Sequence, residues 1–397
     1  MMNDTLKTLL RDITRRAGFD IRRPPTDYSR ACVSLASSAR PARGSALLAY
    51  ILEPFLRSAG EPVSTAHTHH GESLLMAQTL LDLGFDVDVI DYHNDEFRPR
   101  KSYDVFISAR TRFEHLARQL RPSCVKIAHL DTAHFVFNNH AAYARALALQ
   151  QRRGATCTSI RVIEENNAIE CADYAALLGG DFMAQTYAFA GKPSYRLPIP
   201  TVTTYPFPHD KDYDECRRRF LWFGSSGLVH KGLDLVLEAF AQLPQYELLV
   251  CGPIADDAVF QSIYRRELYE LPNIRTLGWV DVTDRRFIDV TRQCVALVFP
   301  SCAESQSASS ITCMQAGLIP ILSREAGIDA QDFGMLLPQA TIEEIKLAVT
   351  ALAQRDPADL ERMSRAAWNH ARTTHTKERY TAEYRRMLTD ILRIDPR

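Results

Sequence analysis

Residues 220–251 read FLWFGSSGLVHKGLDLVLEAFAQLPQYELLVC. An apolar run at 220–224 ends in Gly224. A stretch at 231–243 follows, with Leu233, Val236, Leu237, Phe240 and Leu243 on one helical face. A second apolar run at 246–251 is closed by Gly252-Pro253. Strands buried on both faces read as continuous apolar runs, and an amphipathic helix repeats its apolar residues every three to four positions. The unit is a strand–helix–strand crossover. The rhythm continues with helices predicted at 256–270, 283–293, 309–316 and 341–353, and strands at 274–277, 295–299 and 319–322. Strands alternating with helices of this length build a parallel sheet.

The first half carries the same rhythm more faintly. Strands are read at 47–52, 87–91, 105–108, 125–129 and 174–178, with helices at 72–83 and 141–151. Between the halves, Pro193, Pro198, Pro200, Pro206 and Pro208 interrupt both periods, which places a linker at 192–214. The expected organisation is a helical segment at 1–30, an α/β domain at 31–195, a second at 215–356, and helices at 357–397 packing back across both. The fold class is α/β, with two doubly wound, Rossmann-like domains facing a cleft. In such sheets ligands bind outside the carboxyl ends of strands.

Composition narrows the function. The 397 residues carry 47 Lys and Arg against 48 Asp and Glu, a net charge of −1, which argues against bulk electrostatic binding of nucleic acid. No apolar run of about 18 residues is present to cross a membrane, and the charged first 25 residues lack the apolar core of a secretory signal. The nine cysteines are scattered, with no C-x-x-C pair, as in a cytoplasmic protein with reduced thiols. In residues 1–25, Leu6, Leu9, Leu10, Ile13 and Ala17 recur at helical spacing among six basic and three acidic residues. That pattern fits an ordinary surface helix or one lying peripherally on the inner face of an anionic membrane.

Two segments carry chemistry. Residues 299–320 read FPSCAESQSASSITCMQAGLIP. Glu304 falls in the loop after a strand, and Ser305, Ser307, Ala308, Ser309 and Ser310 open the next helix. Small side chains at a helix N-terminus expose amide groups and the positive dipole end to an anion such as a diphosphate. A serine cluster there is equally a set of N-caps. In the other segment Gly224, Ser225, Ser226 and Gly227 follow a strand, and Lys231-Gly232 opens a helix. A lysine there opposes the macrodipole by about 0.3–1 kcal/mol. It is either offset by an anionic ligand or solvated at the surface. Arg152-Arg153-Gly154 reads as charges complementing a helix C-terminus with a glycine cap, or as a face for an anionic acceptor.

Over about residues 217–353 these features resemble the retaining GT-B-fold glycosyltransferases of family 4, the glycosyltransferase group 1 family. The matching residues are Lys231-Gly232, Pro300-Ser301, Glu304, and Ala316, Gly317 and Pro320. The first half resembles that family only in architecture and in phrases such as LGFDVDV at 83–89. There are two departures. Thr312 stands where the family carries a second Glu that contacts the donor ribose, and Ser226 where it carries an Arg that helps neutralise the diphosphate.

The resemblance implies transfer of a hexosyl group from a nucleotide sugar to a hydroxyl of a glycan or glycolipid, with retention of configuration. Lys231 and Glu304 would act at the reaction centre, with a histidine of the first domain, His134 or His129; His134 is taken as catalytic. Donor contacts would come from Gly224, Ser225, Ser226, Lys231, Glu304, Ser305, Ser307, Ala308, Ser309 and Thr312. The acceptor would enter near Gly71, Glu72 and His129. No cofactor is implied, and no metal, although His129, Asp131 and His134 form an H-x-D-x-x-H. The departures at 312 and 226 keep open a catalytically silent paralogue acting as a binding subunit. A nucleotide-sugar epimerase on the same fold is the other alternative.

Overall fold

A computed structural model describes residues 30–394 apart from 58–60, 62, 66 and 331. The amphipathic segment read at 1–25 lies outside the described residues. The first sheet has seven strands: β1 (Cys32–Leu35), β2 (Gly44–Tyr50), β3 (Phe85–Asp91), β4 (Val105–Ser108), β5 (Val125–Leu130), β6 (Tyr174–Leu178) and β7 (Ser194–Leu197). Their spatial order is β1-β3-β2-β4-β5-β6-β7, all parallel except β1, which runs against β3. The second sheet comprises β8 (Arg219–Phe223), β9 (Glu247–Cys251), β10 (Ile274–Gly278), β11 (Ala296–Phe299), β12 (Ile319–Ser323) and β13 (Met335–Leu337). It is wholly parallel, in the order β10-β9-β8-β11-β12-β13. This is the two-domain, Rossmann-like GT-B arrangement. Strand order reverses between β2 and β4 in one sheet and between β8 and β11 in the other. Chains leaving those strands in opposite directions open a crevice at the carboxyl ends.

The central strands are apolar throughout because helices cover both faces. Leu47, Leu48, Ile107, Leu221, Trp222, Leu297 and Val298 are all fully buried. The helices that matter for the site are α1 (His69–Asp82), α2 (Phe135–Arg153), α3 (Leu233–Ala241), α4 (Ala308–Gln315), α5 (Ile342–Ala353), α6 (Pro357–Thr374) and α7 (Lys377–Ile391). Thr341 and Glu344 form a reciprocal capping box that starts α5. Helix α6 packs on α4 and β12 of the second domain, whereas α7 packs on α1 and β7 of the first. Tyr380, Tyr384, Met387, Leu388 and Ile391 of α7 are buried, and Met387, Leu388 and Ile391 each contribute about 1.5–3 kcal/mol by leaving water.

Helix α2 is the other bridge. Its C-terminus is capped by Gly154 at φ 63°, and its last arginines reach the facing domain. Arg152 meets Asp234 at 2.6 Å and Glu238 at 3.1 Å, and Arg153 meets Glu267 at 2.7 Å. The Arg153 guanidinium lies 4.4 Å from the centre of the Tyr264 ring. Arg145 donates twice to the Pro300 carbonyl at 3.1 Å. These arginines are occupied by carboxylates, ring and main chain of the second domain; Arg152 and Arg153 stand in the last turn of α2 before the glycine cap, as the helix-end reading has it.

Several elements differ from the sequence reading. Strands β1, β7 and β13 are short, and only β7 lies in the proline-rich stretch. It ends at Leu197 just before Pro198, so the first sheet extends past residue 195. Helix α1 begins at His69 and α2 at Phe135, each earlier than their apolar spacing implied. The helix read at 256–270 breaks at Tyr264, whose φ of −109° and ψ of 23° are not helical. All nine cysteines are free, and seven are buried. Among the described residues no helix is long and apolar enough to cross a membrane.

Candidate active site

Between the carboxyl ends of the two sheets lies a cleft of about 760 Å³, lined by both domains. The second domain builds its wall from turns. Gly232 takes the left-handed conformation at φ 73° before α3. A Cβ there would sit 2.5 Å from the Pro300 carbonyl oxygen, so only glycine lets the turn after β8 lie against the loop after β11. That approach brings Lys231 alongside Glu304, 73 residues away, with Nζ 3.3 Å from Oε1. Trp222 Nε1 donates to the Lys231 carbonyl at 3.2 Å and fixes the turn from below. Ser301 Oγ donates to the same Glu304 oxygen at 3.2 Å. Arg161, from the first domain, completes the group with Nη1 at 3.5 Å.

The electrostatics follow from this packing. Burial alone would raise the Glu304 pKa, but Lys231 and then Arg161 hold it down to about 2. Burial lowers the Lys231 pKa, and Glu304 opposes that shift. His230 beside them is pushed down to about 4 by burial, so it is neutral at pH 7. The pocket therefore presents an ionised carboxylate clasped by cations. Helix α4 points its N-terminus at the same space. Its N-cap Ser307 accepts from the Ser310 N–H at 3.2 Å, so the capping reading of the serine cluster holds for that residue. The first-turn amides of a helix have no carbonyl within it to bond, and Ala308 and Ser309, where they lie, line the cleft. Every donor-side residue named from the sequence lines this one cleft: Gly224, Ser225, Ser226, Lys231, Glu304, Ser305, Ser307, Ala308, Ser309 and Thr312.

The first domain's wall is made of charged and aromatic side chains from separate elements. Arg110, after β4, hydrogen-bonds Asp131, after β5, and His69 Nε2 lies 3.9 Å from Asp131. Burial would raise the Asp131 pKa; Arg110 overrides it and brings it to about 2. Glu72 of α1 lines the cleft although its side chain is buried. Tyr50 donates to its Oε2 at 3.0 Å, Oε1 has no partner, and burial raises its pKa.

Two histidines stand elsewhere than the resemblance implied. His134 does not line the cleft: Asp131 and Thr132 do, and the chain then turns away into α2. There His134 is the N-cap, its Nδ1 accepting from the Val136 N–H at 3.4 Å, its ring packed against Tyr187 and Phe189. His129 is fully buried in β5 behind the cleft, edge-on to Tyr50 with centroids 4.8 Å apart. Neither of its nitrogens has a partner, and burial lowers its pKa to about 4. Gly71 lies inside the first turn of α1 and also stands off the cleft. Of the three acceptor-side residues only Glu72 faces it. Asp131 is taken by Arg110, and among the described residues no three His, Cys, Asp or Glu are grouped to hold a metal.

Sequence reasoning missed Arg110, Arg161 and Trp279 as lining residues. Trp279 follows β10, at the strand end where ligands bind, and is 51% exposed; that placement was its available signal. Arg161 lies in an irregular stretch with no periodic pattern to mark it.

Residues 217–355, the second domain, match the sequence profile of the family Glycosyl transferases group 1. No curated protein matches the chain. Sucrose-phosphate synthase from Thermosynechococcus elongatus superimposes with a TM-score of 0.61 at 15% identity, over 88% of this chain and 99% of that one. Anabaena HepE in complex with UDP-glucose gives 0.54 at 12%, over 87% and 100%. S. aureus TarM in complex with Fondaparinux, alpha-GlcNAc-glycerol and UDP gives 0.50 at 11%, over 70% and 54%. The chain thus spans about half the length of TarM. At these identities the likeness establishes a shared fold.

Proposed function

We propose that the chain is a glycosyltransferase that moves a hexosyl group from a nucleotide sugar to a hydroxyl of a glycan or glycolipid. The observation that carries this reading is the Lys231–Glu304 pair at the mouth of a helix N-terminus, in a domain matching the group 1 family. Several structural neighbours hold UDP or a UDP-sugar, which makes a uridine nucleotide the first donor to try. On this reading Lys231 and the α4 amides hold the diphosphate, and Trp279 offers its ring to the base. Ionised Glu304 accepts hydrogen bonds from donor-sugar hydroxyls.

In the transfer step the bond from the anomeric carbon to the diphosphate oxygen breaks. A bond to the acceptor oxygen forms on the same face, and the acceptor's hydroxyl proton is released. Negative charge grows on the diphosphate as it leaves, where a preorganised cation and helix amides act most strongly. Glu72, facing the cleft from the first domain, is placed for the acceptor hydroxyl. Closure of the two walls would exclude water and favour transfer over hydrolysis. The nucleotide sugar enters as substrate, and no cofactor is assigned.

The test is incubation with UDP-glucose and other common nucleotide sugars, with and without a mixture of glycan and glycolipid acceptors. Acceptor-dependent release of nucleoside diphosphate, with label moving to the acceptor, is the expected result. Epimerised donor without acceptor would sink the transferase reading. So would tight nucleotide binding with no turnover under any condition, which fits a silent binding subunit.

A further inference from the structure

We infer that Arg161 supplies the second positive charge for the donor diphosphate, reaching it from the opposite domain. The inference rests on the donor-site reading above and goes beyond it. A nucleoside diphosphate sugar carries two negative charges on its phosphates. The second domain lines the cleft with a single Lys or Arg among the described residues, Lys231, and Lys231 is already shared with Glu304. The first domain adds Arg57, Arg110 and Arg161. Arg110 is held by Asp131 and Arg57 lies 3.7 Å from Glu53. Of these three, Arg161 alone brings its guanidinium to the Lys231–Glu304 pair, 3.5 Å from the carboxylate, with its side chain 38% exposed.

Its placement is built, not incidental. Asn138 donates to the Arg161 carbonyl at 3.3 Å. Two residues on, the Asn139 amide accepts from the Ile163 N–H at 2.7 Å and donates to its carbonyl at 2.9 Å. Both asparagines belong to α2, the helix that Arg145, Arg152 and Arg153 fasten to the second domain. The stem of Arg161 then lies over the turn at 224–227: a Cβ on Gly227 would come 3.3 Å from Arg161 Cδ. Lys231 and Arg161 thus share one carboxylate oxygen, at 3.3 and 3.5 Å, so that an incoming diphosphate meets both cations. Because one cation rides on each domain, phosphate binding favours the approach of the two walls.

The experiment is calorimetric titration at fixed salt of the full chain with UDP, GDP, ADP and dTDP, first on the wild type. The tightest binder is then titrated into Arg161→Gln, Arg161→Lys and Lys231→Gln, with thermal melts of each. Arg161→Gln is expected to weaken binding tenfold or more with an unchanged melt, and Arg161→Lys, which keeps the charge and loses the fork, to bind more tightly than Arg161→Gln and more weakly than wild type. Arg161→Gln binding like wild type while Lys231→Gln loses affinity would overturn the Arg161 inference alone. An Arg161→Lys variant as weak as Arg161→Gln would also overturn it, since charge would then not be the cause. A wild type that binds none of the four would overturn the donor-site reading itself.

Discussion

The two walls of the cleft are built in different ways. On the second domain's wall, main-chain turns do the positioning: Gly232 against Pro300 sets Lys231 beside Glu304, and α4 presents its amides. On the first domain's wall, side chains position one another. Arg110 and Asp131 pair at the ends of neighbouring strands, His69 stands by, and Tyr50 holds Glu72. A wall made of turns is written in local sequence, as glycines and small residues at fixed offsets. A wall made of paired side chains is assembled by the tertiary fold. The first kind can lose a ligand-facing side chain and keep its shape; the second loses shape and chemistry together.

The largest expected effect tests the turn-built wall. Lys231→Ala should lower turnover by about 10²–10³-fold, as when one preorganised group facing developing charge is removed. Its melting temperature should fall, but by less than that of Arg110→Ala, because Arg161 and Ser301 still hold the Glu304 carboxylate. A variant that instead unfolds would mean that Lys231 is a structural cation of the second domain.

The paired wall should respond the opposite way. Arg110→Ala leaves the buried Asp131 carboxylate without its cation, which costs about 3–5 kcal/mol in stability. Chemical denaturation reads this directly, and an unchanged midpoint would contradict a wall held by that pair. Here Arg110→Ala should destabilise the protein more than Lys231→Ala does.

A pH series compares one histidine from each side. His129 and His230 have folded pKa values of about 4, lowered chiefly by burial from 6.5. Below pH 6.5 the unfolded chain takes up a proton at each and the folded chain does not. Stability therefore falls as the pH drops from about 6.5 to about 4, and this contribution levels off below. His129→Asn and His230→Asn should each flatten part of that decline in thermal melts at pH 7, 5.5 and 4.5. An undiminished slope in both would show that these histidines are not the neutral, buried groups described.

The smallest effect falls on Gly71. It sits in the first turn of α1 with nothing within 4 Å of an added Cβ. Gly71→Ala should raise stability by about 0.4–1 kcal/mol and leave turnover alone. A large loss of activity would return Gly71 to the acceptor side.

Legibility in the sequence follows the same divide. The runs at 220–224, 246–251 and 295–299 announced β8, β9 and β11, because strands buried on both faces leave no polar interruption. The short β1, β7 and β13 carry too few residues for a period. On the site, Lys231 and Glu304 were readable because the chemistry sits at strand ends followed by glycines and serines. His134, named from the resemblance, stands off the cleft because it caps α2, where the chain turns away after Thr132. Arg161 was invisible, since what aims it is a pair of asparagines on another element.

The proposed function places the donor phosphates on the second domain's wall. The most direct test is a thermal-shift series of wild type and Lys231→Ala against UDP, GDP, ADP and dTDP. Ligand at 100 times Kd adds about 2.7 kcal/mol to stability. One nucleotide is expected to raise the wild-type melting temperature selectively, and Lys231→Ala to erase the shift. A shift of equal size in both proteins would place the phosphates elsewhere and contradict the proposed function.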